Sequence, residues 1–210
     1  MAKLQEVAAA VETGKLKLIE GIVQEALDEG SSVTEVLNCM IDTMGVVGDK
    51  FQRNEIFVPE MLVSALTMKK GVGVLQPLMV DSDATSLGTC IIGTVAGDLH
   101  DIGKNLVALM IESAGFNVID LGVDVSNDKF IETYKANPDA KIIAVSGLLT
   151  TTMDNMKQCV KALIDAGVKN TAKIMVGGAP ITQEFADEIG ADGYTADAGS
   201  AAVKAKELAS

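Results

Sequence analysis

Tryptophan is absent, and aromatic residues make up only 3% of the 210-residue chain. The core must therefore be built from Ala, Val, Ile, Leu and the 10 Met. Basic residues are also scarce: 17 Lys and Arg stand against 29 Asp and Glu, a net charge of −12. A chain this acidic repels phosphate backbones and anionic bilayers, which disfavours nucleic acid and membrane as partners. No apolar run reaches the roughly 18 residues that span a bilayer. The opening Met1-Ala2-Lys3-Leu4-Gln5-Glu6 meets a glutamate before any signal-peptide core forms. The 3 cysteines, Cys39, Cys90 and Cys159, lie far apart without a CxxC pair. Neither a disulfide framework nor a cysteine zinc site is supported, and a reducing cytoplasm is expected. What the chain has in quantity is apolar residues, 48% against 22% charged, a composition that folds into a globule.

The hydrophobic period divides the chain. Leu4, Val7, Ala8 and Val11 recur at helical spacing, as do Leu16, Ile19, Val23, Ala26 and Leu27. A broader stripe runs Val33, Val36, Leu37, Met40, Ile41, Met44 and Val47, and Ser32 with Glu35 forms a capping box before it. Pro59 suits the first turn of a fourth helix that continues to Leu75. Residues 1–82 are thus expected to form a four-helix bundle, and 83–88, small and polar, a linker. From 89 to 210, short β-branched runs alternate with helical segments. The strands are expected near Thr89–Val95, Asn117–Leu121, Lys141–Val145, Ala172–Val176 and Gly193–Thr195. This alternation predicts an α/β domain, a Rossmann- or flavodoxin-like parallel sheet flanked by helices. Ligands on such sheets sit at the carboxyl ends of the strands.

Three strand-end loops draw attention for that reason. The first, Ala96 to Gly103, carries His100, the 1 histidine in the chain. Asp98, two residues earlier, faces it if the segment is an irregular loop, since i,i+2 residues on a helix do not meet. A carboxylate behind an imidazole fixes its tautomer for metal binding. Gly103 lets the backbone approach something bulky. Taken singly, the commoner origin of such a histidine is a surface turn, with Asp98 as a helix cap. One histidine cannot hold a bare ion, because zinc-type sites need three or four protein ligands. If His100 binds a metal, the metal arrives in a macrocycle that supplies the other ligands. The second loop offers the hydroxyls of Ser146, Thr150, Thr151 and Thr152, which alone read as a capped helix start. The third is Gly177-Gly178, alone a tight turn. Together the three loops imply a deep slot beside the sheet.

In this order, Asp98-Leu99-His100-Asp101-Ile102-Gly103, Ser146-Gly147-Leu148 and Gly177-Gly178 resemble the signature of the cobalamin-binding domain. That domain is shared by methionine synthase, the corrinoid-dependent mutases and the methanogen and acetogen corrinoid proteins. Residues 44–51 and 57–62 resemble the helical cap of its methyl-transfer branch. The resemblance implies a cobalamin or related corrinoid bound base-off/His-on. His100 would be the lower cobalt ligand, held by Asp98 with Thr152 as the outer hydroxyl of the relay. Ser146, Gly177 and Gly178 would line a slot for the displaced base. Asp101, Ile102, Gly103, Leu148 and Thr150 would also touch the corrinoid, and Phe51 and Val58 would shield its upper face. Taken separately, Phe51 and Val58 read as bundle core.

The function so implied is a methyl carrier. It would accept a methyl group on cobalt(I) from a donor-specific methyltransferase and deliver it to a second methyltransferase, with tetrahydrofolate or coenzyme M as acceptor. An ATP-dependent reductive activator is a further expected partner. Such a chain is a carrier subunit, not a complete enzyme, and the linker is a candidate hinge. The alternative is the cobalamin-binding subunit of an adenosylcobalamin-dependent mutase, against which the helical cap argues. A cobalamin-sensing regulator would need a DNA-binding element. A receiver module would need a phospho-acceptor Asp where Ser146 stands. A dinucleotide site would need Gly-x-Gly-x-x-Gly after the first strand.

Overall fold

A computed structural model describes residues 2–79 and 87–210. The chain divides into two compact units, Met1–Thr85 and Ser86–Ser210. Residues 83–86 of the expected linker lie outside the described residues. Among those described, no helix is long and apolar enough to cross a membrane.

The first unit is helical: α1 (Ala2–Glu12), α2 (Ile19–Asp28), α3 (Val33–Gln52) and α4 (Val58–Met79). Its apolar stripes meet as the periodicity requires, burying Val7 and Val11 of α1, Val23 of α2, and Val36, Met40 and Met44 of α3. The capping box is present at α3. The Glu35 N–H donates to Ser32 Oγ at 3.2 Å, and the Ser32 N–H donates to Glu35 Oε2 at 2.8 Å. Leu16 departs from expectation. It lies in the turn before α2 and is exposed, because the chain makes i→i+3 bonds there (Leu18 N–H to the Lys15 carbonyl) before the helix begins.

The second unit is a five-stranded, wholly parallel sheet: β1 (Thr89–Thr94), β2 (Asn117–Asp120), β3 (Ala140–Ser146), β4 (Lys173–Gly177) and β5 (Gly193–Tyr194), in the order β2-β1-β3-β4-β5. The crossovers are α5 (Ile102–Ser113), α6 (Asn127–Ala136), α7 (Met153–Asp165) and α8 (Gln183–Ile189), and α9 (Ala198–Ala209) closes the chain. Register pairs Ile91 with Ile143 and Ile143 with Ile174. These three isoleucines pack with Phe130 of α6 and with Met156, Val160 and Leu163 of α7. All six residues of β1 are buried, as a central strand covered on both faces must be. Gly93 sits in β1 because an added Cβ would meet the Phe130 ring at 2.8 Å. The connection direction reverses between β1 and β3, and a crevice opens at their carboxyl ends.

Burial also sets thiol chemistry. Removal from water pushes the Cys90 and Cys159 thiols up to about 12, so both stay protonated and inert near neutral pH. Cys39 is only partly buried and is raised less, first by burial and then by the charge of Asp42. At pH 8 a dithiobisnitrobenzoate assay on the native protein should therefore titrate about one thiol, and all three after denaturation. Rapid reaction of all three in the native state would contradict this core.

Candidate functional site

The first strand-end loop is irregular, as the Asp98–His100 pairing requires. Its backbone turns at Val95–Asp98, where the Asp98 N–H donates to the Val95 carbonyl at 3.1 Å, and Gly97 takes the left-handed φ of +81° that the turn needs. Asp98 then points inward and is 0% exposed. Its Oδ1 accepts from His100 Nδ1 at 2.7 Å and from the His100 N–H at 3.0 Å. Its Oδ2 accepts from the N–H groups of Leu148 at 2.7 Å and Leu149 at 3.2 Å, and from Thr152 Oγ1 at 3.0 Å. Burial alone would raise this carboxyl. The hydrogen bonds from Leu148, His100 and Leu149 outweigh it and hold the carboxyl well below the usual range, so Asp98 is an anion.

This arrangement removes the two bland readings. Asp98 caps no helix; Asp101 occupies the N-cap of α5 and makes no side-chain cap bond. Thr152 occupies the N-cap of α7 without capping it, because its hydroxyl turns to Asp98 and to the Leu149 carbonyl. The His100 side chain is half exposed. With Nδ1 donating to a carboxylate, the neutral ring carries its lone pair on Nε2, on the side away from Asp98.

His100 stands at the mouth of a cavity of about 470 Å³ between the carboxyl half of the sheet and helices α5 and α9. Asp101, Ile102, Gly103, Ser146, Leu148, Gly177 and Gly178 all line it, whereas Thr150 does not. Thr150 lies in an exposed turn two residues past Leu148. In the helical unit, Val58 is exposed, which removes it from the bundle core, and Phe51 is half-buried. Large apolar side chains stand open at the mouth: Leu99 is 72% and Ile102 85% exposed.

The glycines separate into two kinds. A Cβ on Gly178 would lie 1.8 Å from the Gly147 carbonyl oxygen, and its φ is +138°, so backbone packing alone demands glycine there. A Cβ on Gly103 would meet nothing within 4 Å, and one on Gly177 only the Thr195 carbonyl oxygen at 3.8 Å. Those two positions border the cavity and leave room that the protein itself does not use. Among the described residues no group of three or more His, Cys, Asp and Glu converges on one point. The donor set is thus a single imidazole beside an apolar cavity, which suits a metal that brings its own macrocycle.

Several supports of this loop had no signal in the sequence. Thr94 Oγ1 donates to the His100 carbonyl at 2.9 Å, and Asn155 Nδ2 to the Ala96 carbonyl at 2.7 Å. The Gly97 N–H donates to Asp124 Oδ1 at 2.7 Å. Asp124 has a φ of +53°, a conformation that Asp tolerates better than most residues, and that preference was the one readable hint. Lys104, also on the cavity lining, is buried and paired with Asp120 at the end of β2.

A family model described as B12 binding domain matches residues 88–204, and a second of the same description matches residues 3–76. The chain belongs to the B12-binding domain family. Trimethylamine corrinoid protein 2 of Methanosarcina acetivorans is 44% identical over 98% of both chains. A cobalamin-binding protein from Desulfitobacterium hafniense superposes with a TM-score of 0.82 at 28% identity, covering 98% of each chain. A chain of the methanol:cobalamin methyltransferase complex of Methanosarcina barkeri gives 0.86 at 26% identity, covering 99% of this chain and 80% of that one. Corrinoid binding follows from membership, and the helical unit and the parallel sheet are the two parts of the family's architecture.

Two substitutions test the geometry. Asp98→Asn turns an amide NH₂ toward a backbone N–H in either orientation, that of His100 or those of Leu148 and Leu149, and should cost about 2–3 kcal/mol in chemical denaturation. Gly178→Ala should lower the melting temperature clearly, while Gly103→Ala should leave it unchanged or higher, since alanine favours helix. Equal melting of the two glycine variants would contradict the distinction.

Proposed function

We propose that this protein is a corrinoid methyl carrier. It serves a donor-specific methyltransferase and a second methyltransferase whose acceptor is tetrahydrofolate or coenzyme M. The carrying observation is the His100 ring, held through Nδ1 by buried Asp98 at the mouth of an apolar cavity. Likeness to a methylamine corrinoid protein and to a chain of a methanol:cobalamin methyltransferase complex supports a carrier over an adenosylcobalamin mutase subunit. When bound, the corrinoid supplies a cobalt centre able to take up a methyl group from one partner and yield it to the other.

The chain's own residues bind and orient. His100 would hold the cobalt through Nε2, in the base-off/His-on state. Asp98 keeps the proton on Nδ1 and the ring in one orientation, and Thr152 hydrogen-bonds the far carboxylate oxygen. Coupling among the three makes the ligand's proton affinity responsive to whether Nε2 is engaged. Leu99, Ile102 and Leu148 would cover the flat apolar face of the macrocycle and keep water from Nε2. Ser146, Gly177 and Gly178 would line the space for the displaced base, with Asp101 and Gly103 at its edge. Thr150 offers an exposed hydroxyl to the corrin rim. Phe51 and Val58 are proposed to cover the opposite face. An ATP-dependent reductive activator is proposed as a further partner, and the three free thiols suit a cytoplasmic setting.

The single histidine makes the test direct. In the cobalt(II) form, nitrogen-15 labelling of histidine should change the superhyperfine pattern in EPR, and His100→Ala should abolish that sensitivity while retaining some corrinoid. An unchanged pattern in the labelled, corrinoid-loaded protein would sink the ligand assignment. Gly103→Ala should weaken corrinoid binding at least about ten-fold by equilibrium dialysis without loss of thermal stability.

A further inference from the structure

We propose that the cavity beside the sheet selects the corrinoid's lower base, accepting a benzimidazole and rejecting an adenine; the proposal rests on the corrinoid reading above. A cavity of about 470 Å³ admits either heterocycle, so size does not decide. Polarity does. The sheet wall presents Ile92, Ala144 and Met175, one from each of β1, β3 and β4, all buried. Leu106 and Val107 of α5 and Ala201 of α9 line it from the helical side. The backbone behind the sheet wall is occupied by the parallel ladders that join β1 to β3 and β3 to β4.

Three charged side chains border the cavity, and each is engaged. Asp101, exposed beside His100 at the mouth, accepts from Asn105 Nδ2 at 3.1 Å. Lys104 Nζ donates to Asp120 and to Asn105 Oδ1. Both carboxylate oxygens of Asp197 accept from Ser200, one from its N–H and one from its hydroxyl. Behind His100, the uncharged polar side chains on the lining are the hydroxyl of Ser146, at the carboxyl end of β3, and that of Thr195, just past β5. Neither has a side-chain partner among the described residues, and both sit at strand ends.

A benzimidazole joined to its ribose through one nitrogen brings a single further ring nitrogen, which one hydroxyl satisfies. An adenine brings three further ring nitrogens and an amino group. Two hydroxyls at one end cannot satisfy that edge, and each polar group buried without a partner weakens binding roughly ten-fold. The unpaired edge would face Ile92, Met175 and Leu106.

Equilibrium dialysis of corrinoid-free protein against cobalamin, its adeninyl analogue and base-free cobinamide tests this. Cobalamin should bind at least ten-fold more tightly than the adeninyl form, which should fall close to cobinamide. Equal affinity for the two complete corrinoids would overturn the selectivity and leave the corrinoid reading standing. Failure of all three to bind would overturn both. Leu106→Gln, at a half-buried position, puts an amide on the wall. It should narrow the gap at least three-fold in a variant whose circular dichroism melt shows it folded; an unchanged gap would remove the wall as the source of selectivity.

Discussion

Everything at the strand ends is organised around one buried anion. Among the described residues no Lys or Arg pairs with the Asp98 carboxylate, which is 0% exposed, and five donors converge on its two oxygens to stabilise it there. Those donors come from both sides of the topological reversal: His100 from the loop after β1, and Leu148, Leu149 and Thr152 from the loop after β3. A single carboxylate therefore ties the two loops together, and the orientation of the only imidazole in the chain is a consequence of that tie. The cost of burying charge is offset by charge-assisted hydrogen bonds, each stronger than its neutral counterpart.

The loop that carries His100 is fixed by a further set of bonds to its backbone, from Thr94, Asn155 and Asp124. They hold carbonyl and amide groups, not the ring, whose one hydrogen bond among the described residues is through Nδ1. Nε2, on the far side of the ring, is not engaged by that bond. The cavity behind it is walled chiefly by apolar side chains. Rigid loop, oriented imidazole and apolar slot are the parts a corrinoid carrier needs, and the methyl donor and acceptor are left to the partners that dock on it.

Much of this was legible before any coordinates. The helical periods of the first 80 residues, the Ser32–Glu35 box and the alternation after residue 88 foretell the elements, because short-range backbone and patterning physics dominates them. The spacing of Asp98 and His100 is informative because two residues in an irregular loop can meet. The strand-end rule then places Ser146 and Gly177 near them. Less legible were residues whose partners lie far along the chain. Lys104 looks like an ordinary surface lysine on an amphipathic helix, and only the neighbouring β2 edge, bringing Asp120, shows why it is buried. Thr152 looks like a helix cap and is diverted from that role by a carboxylate 54 residues away in the chain. Leu16 matches a helical stripe that the local turn breaks.

The sequence by itself determined the two-part organisation, the parallel sheet and the identity of the one imidazole available to a metal. These follow from hydrophobic period, from the absence of other histidines and from the order of three short loops. Tertiary structure alone decided how the residues work. It decided that Gly178 is glycine for the sake of the Gly147 backbone, whereas Gly103 and Gly177 are glycine beside open space. It decided too that Asp98 is an anion under five hydrogen bonds and not a cap. Sequence records which groups are present; only packing determines which of them lose water, and that loss sets both the charge of Asp98 and the shape of the cavity.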